Sequence, residues 1–118
     1  MPTNPKLLAE LKRSKDPDAM VLLQMVENGA NLAKPHEPDF AFEMPSLETA
    51  KKIEAELYSE GYLVELFDPD MDNPTYQVIA RRTMVLDLHA LNQLSIQFEA
   101  LAKRFGGIYD GWGAEIVE

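Results

Sequence analysis

Asp68, Asp70 and Asp72 place three carboxylates at alternate positions in Asp68-Pro69-Asp70-Met71-Asp72, the spacing that opens a calcium-binding loop. Such a loop needs Gly at its sixth position and a bidentate Glu at its twelfth. Those positions hold Asn73 and Ile79, so the segment reads as a solvated turn. His36, Glu37 and Asp39 also cluster, but no second nitrogen donor lies near them and the chain has no Cys. A zinc-type site needs several such ligands. His36 and His89 are therefore expected at the surface. Nucleophilic catalysis needs a Ser, Thr, Cys or Lys beside an oriented base. Ser46 is committed to a helix cap, and Ser14, Ser59 and Ser95 have no His–acid pattern nearby. Twenty acids make many carboxylate pairs, and nothing selects one of them for proton transfer. No Gly-rich phosphate loop is present. The residues point to a binding surface, with no catalytic residue, no cofactor and no metal.

One motif stands apart. Tyr109-Asp110-Gly111-Trp112-Gly113 holds the single Trp and directly follows Gly106-Gly107. Glycine weakens a strand and marks a bulge or a close backbone approach, so the chain does something specific here. In a regular strand Trp112 shares a face with Ala114 and Ile116, while Gly111 and Gly113 bare the opposite face. The large apolar area of an indole favours a core anchor over a partner contact.

The elements that position these residues follow from periodicity and punctuation. Asn4-Pro5 and Asp16-Pro17 are helix starts, with Pro at the first helical position. Leu7, Leu8 and Leu11 give the first helix a short apolar face. Ala19, Leu22, Leu23, Val26 and Ala30 give the second a stripe, over about residues 16–28. Residues 30–38 form a loop. Phe40, Phe42 and Met44 alternate with Ala41 and Glu43 as in a half-buried strand. Ser46 caps a helix whose buried stripe is Leu47, Ala50, Ile53 and Leu57, closed by Gly61. Residues 62–67 form a second strand of ambiguous register, 69–74 a turn, and 76–81 a third strand. Asp87 caps the longest helix, with Leu88, Leu91, Leu94, Phe98, Leu101 and Phe105 on one side and Lys103 and Arg104 in its last turn. Residues 108–116 form the fourth strand. The order β-α-β-β-α-β predicts an α+β, ferredoxin-like antiparallel sandwich with extra N-terminal helices. One domain over 1–118 is expected, with 1–30 as a helical extension and 38–117 as the core.

A two-layer sandwich leaves one sheet face open. With Phe40, Phe42, Val64, Val78 and Ala80 turned to the helices, Glu43, Leu63, Glu65, Phe67, Ile79 and Arg81 turn away. An apolar cluster rimmed by charge marks a partner surface, unless the N-terminal helices or a second subunit cover it. Net charge is −9. Residues 16–80 hold fourteen acids against three lysines, whereas residues 1–15 are net +3. An acidic body repels phosphate backbones and speeds encounter with basic partners. The third strand also lacks the paired outward aromatics of an RNA-recognition domain. No segment reaches the roughly 18 apolar residues of a membrane span, and the N-terminus has no signal-peptide core. A soluble cytoplasmic protein is expected.

Three stretches together resemble the regulator of ribonuclease E activity B (RraB) family. They are Asp16-Pro17-Asp18-Ala19, the unit ending Glu60-Gly61-Tyr62-Leu63-Val64-Glu65, and Phe105-Gly106-Gly107-Ile108-Tyr109-Asp110-Gly111-Trp112-Gly113. They span most of residues 16–115, and Tyr-Asp-Gly-Trp is their most specific part. The resemblance implies a small acidic ferredoxin-like protein that binds the endoribonuclease RNase E and inhibits its RNA processing without catalysis of its own. It also implies the partner, a basic scaffold segment in the C-terminal region of that enzyme. Some members continue into a strongly acidic tail; this chain stops at Glu118, which implies weaker binding or another partner if the tail contributes. The alternative is a small-molecule-binding or dimerising module on the same scaffold, and a homo-oligomer is compatible with either.

Overall fold

Proline at the first turn and a carboxylate before it start the second helix as expected. The computed structural model describes residues 5–13 and 15–118; the predicted cap at Asn4 lies outside them. Helix α1 spans Pro5–Arg13 and α2 spans Pro17–Glu27. The Asp16 carboxylate accepts the Asp18 backbone N–H at 2.9 Å, supplying one of the orphan donors of the helix start. Strand β1 (Pro35–His36) precedes β2 (Asp39–Met44), α3 (Leu47–Ser59), β3 (Leu63–Phe67), β4 (Tyr76–Arg81), β5 (Met84–Val85), α4 (Leu88–Arg104) and β6 (Ile108–Gly113). Ser46 and Thr49 cap α3 reciprocally, and the Asp87 carboxylate accepts the Ala90 N–H to cap α4. The chain is thus α+β.

Four strands form one sheet in the order β3-β4-β2-β6, with every neighbouring pair antiparallel. The register of the second strand is now fixed: Val64 pairs with Ala80 and Leu66 with Val78, so these four face the helices. Ala50, Ile53 and Leu57 of α3 and Leu91, Phe98 and Ala102 of α4 pack on Phe40, Phe42, Val78 and Ala80. Phe98 is the hub. Its ring centroid lies 5.0 Å from Phe40, 5.3 Å from Phe42, 5.8 Å from Tyr62 and 5.4 Å from Tyr109. Edge-on and tilted ring pairs of this kind stabilise beyond their area burial. Ala19, Leu22 and Met25 of α2 and Leu11 of α1 belong to the same core.

Four expectations are corrected. Leu47 is 41% exposed, because the buried face of α3 begins one turn later, at Ala50. The 30–38 loop contains β1, which pairs antiparallel with β5 in a separate two-stranded sheet. The last strand ends at Gly113 rather than residue 116. The following residues turn back, where the Asn31 N–H donates to the Val117 carbonyl at 2.8 Å. His36 is not a surface residue: it is 1% exposed. Its Nδ1 donates to the Lys34 carbonyl at 2.9 Å, and its Nε2 accepts the Val117 N–H at 3.2 Å. Both ring nitrogens are therefore spent on backbone, which fixes the ring's orientation and ties the C-terminal segment to the β1 loop.

Candidate functional site

Strand alternation carries the six predicted surface residues to one side. Glu43, Leu63, Glu65, Phe67, Ile79 and Arg81 all lie opposite the helix-facing set and share the open face. Register makes them neighbours: Leu63 sits across from Arg81, Glu65 from Ile79, and Ala41 from Ile79 on the other flank. Leu63 is 68% exposed, and Phe67 and Ile108 are exposed too. Helix α2 packs against α4, on the far layer, and leaves this face open.

The charges on the face are not independent. The Arg81 guanidinium donates to Asp39 at 2.6 Å and also to Glu65. Those bonds, Glu65 first and then Asp39, hold its pKa above the usual arginine value. One cation is thereby shared by two carboxylates, so the face is net acidic, and Glu43 makes no ion pair among the described residues. The turn that resembled a calcium loop has a local use: the Asp70 carboxylate accepts the Asp72 and Asn73 N–H groups. That is a side-chain-closed turn.

The Tyr109–Gly113 motif is built on a β-bulge. Gly111 pairs with Ala41 but Tyr109 pairs with Phe42, so Asp110 is the extra residue. Gly111 carries it with φ +97°, a conformation that side chains resist. Tyr109 and Trp112 are three apart and would face opposite sides of a regular strand. The bulge turns both toward the helices, where each packs against the core. Trp112 is thus a core anchor, and its Nε1–H donates to Asp18 Oδ1 at 2.9 Å. Ser95 Oγ on α4 donates to the same carboxylate at 2.9 and 3.0 Å. Asp18 is 7% exposed. It joins α2, α4 and β6 through two neutral donors.

Beside this junction lies a cleft of about 500 Å³ between the start of α2, the flank of α4 and the bulge. Its wall includes Asp18, Ser95, Ile96, Glu99, Tyr109 and Asp110, and among the described residues no basic one. The Tyr109 hydroxyl is buried beside Ser95. Burial pushes its pKa well above the usual tyrosine value, partly offset by Ser95 and reinforced by the Asp18 and Glu99 charges. Sequence reasoning missed this site. Asp18 and Ser95 are 77 residues apart, and only the bulge brings Tyr109 to them.

With the acidic face, the bulged motif and the Asp18 junction in place, residues 15–114 match the family described as Regulator of ribonuclease activity B. The chain belongs to this family. No curated protein matches the chain. The match begins just before the Asp16 cap and ends just after Gly113, so it encloses the whole Asp18–Ser95–Trp112 junction and the open face. The family is named for regulation of ribonuclease activity. Among the described residues no helix is long and apolar enough to cross a membrane.

Proposed function

We propose that this protein is a non-catalytic regulator that binds an RNase E-like endoribonuclease and restrains its activity. The observation that carries the reading is the family match over residues 15–114. The binding surface is the open sheet face, with Ile79 at mid-sheet, Leu63 and Phe67 along the β3 edge, and Glu43, Glu65 and Arg81 interleaved among them. Apolar centres with charged rims are the usual anatomy of protein interfaces. The partner is a basic scaffold segment of the enzyme, drawn by the net charge of −9. Occupying that segment blocks enzyme assembly or RNA access sterically. The scaffold is read as ferredoxin-like, which the β3-β4-β2-β6 order and the packing of α3 and α4 on one face support. Residues 1–118 act as one cytoplasmic domain without contacting RNA directly.

The test is capture of an RNase E scaffold fragment by the purified chain at low and moderate salt. Binding that weakens with salt is expected; absence of binding at both salts sinks the proposal. Glu43→Lys is the cleanest surface change, because Glu65→Lys would also strip Arg81 of a partner. A Glu43→Lys protein that folds and binds like the wild type would move the interface off this face.

A further inference from the structure

The sheet ends in two edge strands that are not alike. β6 carries the bulge at Asp110, and its register shifts against β2. A bulge blunts an edge against further pairing. β3 lacks such a guard. Its five residues pair with β4 without a shift, and Leu63-Val64-Glu65-Leu66-Phe67 holds no Pro, Gly or Lys. Its one charge, Glu65, is drawn along the sheet to Arg81 on β4. In an antiparallel ladder only every second residue bonds a given neighbour, so the alternate residues of β3 present their N–H and C=O to the free side. Among the described residues no hydrogen bond beyond the β4 ladder uses the backbone of Leu63–Phe67. Helix α3 covers the inner face of β3, while Leu63 and Phe67 are exposed on the outer one.

We infer that the β3 edge takes up an extended basic segment as a fifth strand of the sheet. The inference rests on the reading that a basic segment is the partner, and adds how it is held: backbone to backbone, with side chains setting the choice. Charge selects this occupant over a second copy of the chain. Residues 60–72 hold Glu60, Glu65, Asp68, Asp70 and Asp72 and no Lys or Arg. Antiparallel pairing of β3 with another β3 would set Glu65 against its own copy and Glu60 near an Asp70, and like charges so placed oppose pairing. Two chains of net charge −9 also repel at longer range. A basic segment meets the opposite field. Glu60 precedes the strand and Asp68 and Asp70 follow it, so basic residues at both ends of the incoming strand are matched. Glu60, Asp68 and Asp70 make no ion pair among the described residues. Leu63 and Phe67 lie on one face of the strand, so apolar side chains at the same spacing on the segment would cover them.

The probe is a fluorescein-labelled peptide, Lys-Arg-Val-Thr-Lys-Thr-Val-Arg-Lys, titrated into the whole chain and followed by anisotropy. Two further versions carry N-methyl groups on alternate residues, one set on each edge of the peptide strand. An added strand offers only one of its edges to β3. One methylated version should therefore bind like the parent, and the other should lose about tenfold or more in affinity, because it forfeits several backbone hydrogen bonds. Amide exchange read by NMR should slow at alternate β3 residues on binding and stay unchanged in β6. Leu63→Lys lies at an exposed position, so the fold survives. It should weaken the parent peptide about tenfold, since an edge lysine blocks pairing and repels a basic strand. Equal loss with both methylated versions, no binding of the parent, protection in β6 in place of β3, or wild-type affinity in Leu63→Lys would overturn the inference. So would β3 protection that rises with protein concentration alone, which would assign the edge to a second copy. Capture of the ribonuclease scaffold fragment by the same preparation separates the two readings. Scaffold binding without β3 protection removes the added strand and leaves the regulator. Peptide pairing on β3 without scaffold binding keeps the edge site and removes the ribonuclease.

Discussion

Asp18→Ala should be among the most destabilising changes available on the polar side of the core. The carboxylate is 7% exposed and receives hydrogen bonds from Ser95 at 2.9 and 3.0 Å and from Trp112 at 2.9 Å. Bonds to a charged acceptor contribute about 1.5–3 kcal/mol each, so two donors give a gross loss of roughly 3–6 kcal/mol. The second helical position adds a few tenths, since an acid there opposes the helix dipole. Removing a buried charge returns part of this, because its desolvation cost disappears. A net loss of about 3 kcal/mol follows from these terms. For 118 residues the unfolding entropy is about 0.25 kcal/mol/K, so the melting midpoint should fall by about 12 °C. Asp18→Asn keeps the shape and one acceptor, and should lose roughly half as much. Circular dichroism melts supply the numbers, and a double-mutant cycle with Trp112→Phe supplies the decisive one. Coupling of about 1–2 kcal/mol is expected between groups in direct contact. Additive losses, or an Asp18→Ala midpoint within about 2 °C of wild type, would refute the junction as a structural tie.

Two further changes probe the same region. Gly111→Ala should cost about 1–2 kcal/mol by strain alone, since φ is +97° and an added Cβ meets nothing within 4 Å. Gly107→Ala should cost more, because the new Cβ would lie 2.5 Å from Met44 Sδ and 2.6 Å from the Glu43 carbonyl oxygen; urea titration that reverses this order would contradict both arguments. Tyr109 sets the alkaline limb. Its folded-state pKa is raised by burial, so stability is complete below the unfolded value near 10 and is lost as pH rises above it, when only the unfolded chain ionises readily. Tyr109→Phe should flatten the decline in melting midpoint above pH 10, leaving the smaller share due to Tyr62, which burial also raises; an unchanged slope would contradict the assignment.

Local signals were enough for most elements because local physics decided them. The Asp16, Ser46 and Asp87 caps and the stripes of α2, α3 and α4 sit where periodicity and capping chemistry put them. The outward set from Glu43 to Arg81 was legible for the same reason, since alternation leaves two faces and one must be apolar. What was not legible depended on distant partners. His36 looked like a loop residue because its acceptor is Lys34 but its donor is Val117, 81 positions away. β6 ends early because its partner β2 begins at Asp39, which pairs with Gly113. Leu47 shows the lesser kind of miss, where spacing fits a stripe but the helix has not yet reached the sheet. Asp18 read as one more acid in a helix start, and nothing local distinguishes it from Asp16.

The bulge lets β6 tie three elements together in a way that a regular strand could not. Adding one residue to β6 turns Tyr109 and Trp112 inward together and leaves Asp110 exposed at the cleft mouth. Trp112 then needs an acceptor at its Nε1, and Asp18 meets that need only by being buried. The glycines that made the motif look anomalous in a strand are therefore its mechanism: Gly111 permits the bulge, and the bulge assembles both the tie across α2, α4 and β6 and the cleft beside it. Gly111→Ala should accordingly loosen the tie as well as strain the turn, so its loss should be non-additive with that of Asp18→Ala in a double-mutant cycle. Additive losses in urea titration would show that the bulge and the Asp18 tie are independent.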